Sequence, residues 1–139
     1  MGLFGKSKKK IPPYGPPRNV SWVTSPKGQF YNFLNLEPEA IGLSGAAGVY
    51  IIWLGGRWPE WLFIERTEDF AMSFKELQSN QDILRYEREG RLYVTWAEIR
   101  PEFRDGVVQF LNQVIPPVIP STNPPSEDEP PIAVIPPGV

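Results

Sequence analysis

The sequence contains neither cysteine nor histidine. That excludes a disulfide framework, a Cys- or His-ligated zinc site, a Ser-His-Asp triad and a cysteine nucleophile. A metal site would have to be built from carboxylate and carbonyl oxygens, which suits Mg²⁺ or Ca²⁺. Long apolar runs are also missing. The longest, about residues 46–54, falls far short of the ~20 residues that span a bilayer. The basic residues near Met1 are followed by no apolar h-region, and Lys6 stands where a myristoylation pattern wants Ser or Thr. These absences predict a cytoplasmic protein with no transmembrane segment.

What is present is a globular composition: 139 residues, 41% hydrophobic and 13% aromatic, with a formal charge of -2. This is enough chain for one compact domain. Thirteen of the 17 prolines fall in residues 1–18 or 116–139. Residues 1–18 carry Lys6, Lys8, Lys9, Lys10 and Arg18 with no acid, whereas the last 24 residues carry Glu127, Asp128 and Glu129 with no base. The expected organisation is a basic, Pro-rich flexible arm (1–18), one domain (19–117) and an acidic, Pro-rich tail (118–139). Proline lacks an N–H and biases its predecessor toward extended geometry. Both termini are therefore expected to be extended and mobile unless a partner orders them.

Within the domain, Gly48 to Leu54 is a β-branched and aromatic run closed by Gly55-Gly56, and Trp61 to Ile64 follows closely. This reads as an antiparallel hairpin. Arg91 to Ile99 alternates Leu92, Val94 and Trp96 against Tyr93, Thr95, Ala97 and Ile99. Both sets are mostly apolar, so a central strand covered on both faces is expected. Phe70, Phe74 and Leu77 mark one helix, Ile83, Leu84 and Tyr86 a second short one. Phe103, Val107, Phe110, Leu111 and Val114 mark a third, opened by Pro101 and stopped by Pro116-Pro117. Gly106 costs that helix about 1 kcal/mol relative to Ala. Residues 30–36 are expected to form a short helix or edge segment, and Pro38 to open a turn of helix through Ile41. The predicted fold is α+β: a small three-stranded, mainly antiparallel sheet flanked by helices.

That order, with Gly48-Val49-Tyr50 opening the first strand and Phe63-Ile64-Glu65-Arg66-Thr67 in the second, resembles the GIY-YIG nuclease-like fold over about residues 46–117. The resemblance implies a site made of two motif tyrosines, an Arg on the first helix and a metal-holding Glu on the later helix. Only Tyr50 matches. Phe63 stands for the second tyrosine and Glu65 for the motif glycine. Met72 or Ser73 lies where the Arg belongs, and Val107, Val108 or Gln109 where the Glu belongs. The resemblance therefore implies a degenerate, catalytically inactive member with no cofactor. A rearranged nuclease would use Tyr50, Glu65, Arg66 and Glu98, with Glu65 and Glu98 pairing around Mg²⁺ if their strands are neighbours.

Binding candidates lie elsewhere. Trp58 and Trp61 flank Pro59-Glu60 beside a loop and form either a folded-back cover or a docking patch. Lys6, Lys8, Lys9 and Lys10 suit nucleic acid, an anionic membrane surface or an acidic protein. Ile-Pro-Pro occurs at 11–13, 115–117 and 135–137, and such segments dock in aromatic grooves because PPII loses little entropy on binding. The leading expectation is a non-catalytic interaction or adaptor module whose terminal arms dock on a protein partner. The alternatives are a divalent-metal-dependent, structure-selective nuclease and non-cleaving nucleic-acid binding through the Lys-rich arm.

Overall fold

The computed structural model describes residues 16–138. Lys6, Lys8, Lys9 and Lys10, and most of the basic arm with them, lie outside the described residues. Four strands form one antiparallel sheet: β1 (Tyr31–Asn32), β2 (Gly48–Leu54), β3 (Glu60–Thr67) and β4 (Leu92–Glu98), in the order β1-β4-β2-β3. The helices are α1 (Phe70–Leu77), α2 (Gln81–Leu84), which runs into a 3₁₀ turn at Arg85–Arg88, and α3 (Pro101–Val114).

The class is α+β, as expected, but the sheet has four strands and not three. The added strand is β1, in the stretch expected to be a short helix or an edge. Tyr31 pairs with Val94 and Asn32 with Tyr93, and Phe33 N–H donates to Leu92 O at 2.7 Å. Asn32 ends the strand at once, because its Oδ1 accepts from the N–H groups of Leu34 and Asn35. The helical turn expected from Pro38 is also absent. Ala40 and Gly42 donate three residues back, to Glu37 and Glu39, and Leu43 closes the loop on Pro38. None of these bonds joins residues four apart, so no α-helical turn is closed.

The two faces of the sheet carry separate cores. Tyr50, Ile52, Phe63, Val94 and Trp96 pack against Phe70 and Phe74 of α1. Val49, Ile51 and Ile64 pack against Val107, Val108 and Leu111 of α3. Asp69 caps α1 by accepting from Met72 N–H, Asn80 caps α2 through Ile83 N–H, and Pro101 sits in the first turn of α3.

The tail departs most from expectation. Residues 118–138 lie against their own domain. Val118 and Ile119 donate to Trp61 O and Leu62 O at the open edge of β3. The chain then crosses α3, where Ile132 N–H donates to Gly106 O, and pairs with residue 18 through Arg18 N–H to Ala133 O and Ile135 N–H to Arg18 O. Ala133 and Val134 are 2% exposed and belong to the core under α3. Proline does keep this segment out of the helices and inner strands. The apolar residues within it dock it nonetheless, which also covers an edge strand that would otherwise present unpaired backbone.

Candidate functional site

A cleft of about 910 Å³ opens between the C-terminal half of β3, α1 and the first turns of α3. Three of the residues singled out by sequence, Tyr50, Glu65 and Arg66, line it together. Register explains this for two of them: Tyr50 on β2 faces Glu65 on β3.

Tyr50 is 3% exposed and its ring lies among Phe63, Phe70 and Phe74, with centroids 6.2, 6.4 and 5.2 Å away. Burial pushes its phenol well above the ordinary tyrosine range, and the negative charges of Glu65 and Glu76 push the same way. The hydrogen bond to Ser73 opposes them. Ser73 Oγ in turn lies 2.6 Å from Thr67 Oγ1, and that hydroxyl reaches Asp69 O at 3.2 Å. A phenol held neutral in this way is a poor base and a poor nucleophile.

Arg66 is the hub of the cleft wall. Its guanidinium donates to Glu65 Oε1 at 2.8 Å and to Asn123 O at 2.6 Å, and it pairs with the Asp105 carboxylate on α3. Glu65 accepts a further bond from Arg66 N–H, and its other oxygen takes the Ser121 hydroxyl. Two of these partners, Ser121 and Asn123, come from the tail, whose residues 119–123 line the cleft. Sequence reasoning missed them. Their separation from Glu65 and Arg66 exceeds 50 residues, and no local pattern announces such a contact.

Glu98 is not in this group. It faces Gly48, whose partner on the other side is Thr67, while Glu65 faces Tyr50. One strand and two register positions separate the two glutamates, on the order of 11 Å. The pairing around Mg²⁺ required neighbouring strands, and β2 lies between them. Among the described residues no cluster of three or more carboxylates that could hold a metal ion occurs. The other positions named by the resemblance are occupied as follows. Phe63 packs on Tyr50, Met72 is exposed, Val107 and Val108 are buried, and Gln109 donates to Ser126 O and Glu127 O.

The hairpin tryptophans divide. Trp58 is 77% exposed, with the Arg57 guanidinium 6.0 Å from its ring centre. Trp61 is half-buried against Trp53, at 5.7 Å between centroids. No helix among the described residues is long and apolar enough to cross a membrane. Comparison of the chain with family models, curated proteins and solved structures gave no significant match.

Proposed function

We propose that this chain is a non-catalytic macromolecular interaction module, cytoplasmic and built on a degenerate GIY-YIG-like domain. One observation carries the reading: the polar groups that catalysis would recruit are already committed within the chain. Arg66 is bound to Glu65, Asp105 and the backbone of the tail, and Glu65 to Ser121. Tyr50 is buried and held protonated. A group that must first give up its internal partners is poorly placed to stabilise charge in a transition state. Trp58, by contrast, is a large ring left in solvent at a hairpin tip, the kind of anchor that protein interfaces bury.

The convergence of Tyr50, Glu65 and Arg66 on one cleft favours a second reading, metal-dependent cleavage once the tail is displaced. One experiment separates the two. A photo-crosslinking amino acid is placed at Trp58 and, as a control, at Met72 on α1, and both proteins are exposed to native extract. The same preparations are incubated with branched and single-stranded DNA and RNA in Mg²⁺ or Mn²⁺. The module reading expects a discrete protein adduct at position 58 alone and intact nucleic acid. Cleavage that disappears in Glu65→Ala overturns it.

A further inference from the structure

Two aromatic grooves adjoin on the α3 side of the sheet and share the ring of Phe30. The first, about 370 Å³, is lined by Trp22, Phe30 and the chain's own Ile135-Pro136-Pro137. There Trp22 Nε1 donates to Ile135 O at 2.7 Å and Pro137 is buried. An indole N–H thus satisfies a carbonyl of this Ile-Pro-Pro segment, as donors in aromatic grooves do for PPII ligands, whose carbonyls have no internal partner.

The second groove, about 630 Å³, repeats that chemistry with no segment of the described chain seated in it. Tyr93 and Trp53 stack at 5.8 Å with 25° between their planes, and Phe30 meets Trp53 edge-on at 4.9 Å. The stack stands because residue 55 is glycine, since a β-carbon there would lie 2.4 Å from the Tyr93 ring. Trp53 and Tyr93 are both half-buried, and each ring carries a polar donor, Nε1 and Oη, with no hydrogen-bond partner among the described residues. Arg91 is the one charged side chain in the lining.

We propose that this second groove binds a proline-rich segment of a partner protein, of the Ile-Pro-Pro type that the tail itself carries. The inference rests on the interaction-module reading and names its partner chemistry. Charge argues against single-stranded nucleic acid as the occupant, because one arginine answers poorly to a phosphate at every nucleotide. A PPII peptide asks only for ring faces and a few donors.

The probe is the capped heptapeptide Glu-Pro-Pro-Ile-Pro-Pro-Gly, titrated into the full chain while the tryptophan indole N–H signals are followed by NMR. The expected result is a saturable shift of Trp53, with Trp22 left in place on Ile135. The double variant Trp53→Phe, Tyr93→Phe keeps both rings and loses both donors. It should bind about tenfold more weakly, the worth of two ordinary hydrogen bonds. The proposal is overturned by no saturable shift, by movement of Trp22 in place of Trp53, by undiminished binding to the double variant, or by displacement of the peptide with oligothymidine. Such a failure beside intact crosslinking at position 58 removes the groove and leaves the module. Metal-dependent cleavage removes the module whatever the peptide does.

Discussion

The backbone N–H of Ile132 donates to the carbonyl of Gly106 at 2.9 Å, midway along α3, and the Ile132 side chain fills the space a β-carbon on residue 106 would need. That β-carbon would lie 2.6 Å from Ile132 Cδ1 and 2.9 Å from Pro130 O. The glycine that weakens the helix is thus the residue that lets the tail cross it. The same crossing sets the next two buried residues, Ala133 and Val134, into the core.

Gly106→Ala tests this. Helix propensity alone would stabilise the protein by about 1 kcal/mol, whereas forcing the tail outward costs about 1–3 kcal/mol. The expected outcome is a lower urea midpoint and faster proteolysis within residues 120–131. A gain of about 1 kcal/mol with unchanged proteolysis would show the crossing to be dispensable.

Val134→Ala asks whether the tail belongs to the folded core. A free arm would tolerate it without effect. As a fully packed side chain, Val134 should cost about 2 kcal/mol when truncated, read from equilibrium unfolding.

Arg66 holds two carboxylates and the tail at once. Arg66→Ala should destabilise the protein by about 2 kcal/mol, because Glu65 is left largely buried without its guanidinium. Glu65→Gln in the same background should recover part of that loss. A double-mutant cycle over the four proteins measures the coupling, and strict additivity would deny it.

Tyr50 predicts a pH dependence. Its phenol is held above the ordinary range in the fold, so the folded state keeps a proton that the unfolded chain releases near pH ~10. Stability linked to this group is whole below that pH and falls as pH rises through it, by up to about 1.4 kcal/mol per pH unit. Urea midpoints of wild type and Tyr50→Phe should converge between pH 8 and pH 11 if Tyr50 stabilises the neutral fold. Parallel curves would contradict its burial.

The local elements were legible because their causes are local. The spacing of Phe70, Phe74 and Leu77 marks the first helix, Pro101 the start and Pro116 the stop of the last, and the alternation of Leu92, Val94 and Trp96 the inner strand. The convergence of Tyr50 and Glu65 followed from a hairpin whose turn could be read. Two residues at Tyr31–Asn32 carry no such signal; they are a strand only because β4 offers them an edge.

The sequence by itself determined the α+β class, the hairpin, the order of the helices and the absence of thiol and imidazole chemistry, since each depends on residue type or spacing of a few positions. Only the tertiary structure decided that the tail folds back, that Ser121 and Asn123 occupy Glu65 and Arg66, and that Glu98 lies apart. It also placed Phe30, Trp53 and Tyr93 in one groove. Proline spacing describes how a segment prefers to run, but where it comes to rest depends on apolar surface and hydrogen-bond donors set far away in the chain, such as Trp22 for Ile135, 113 residues apart.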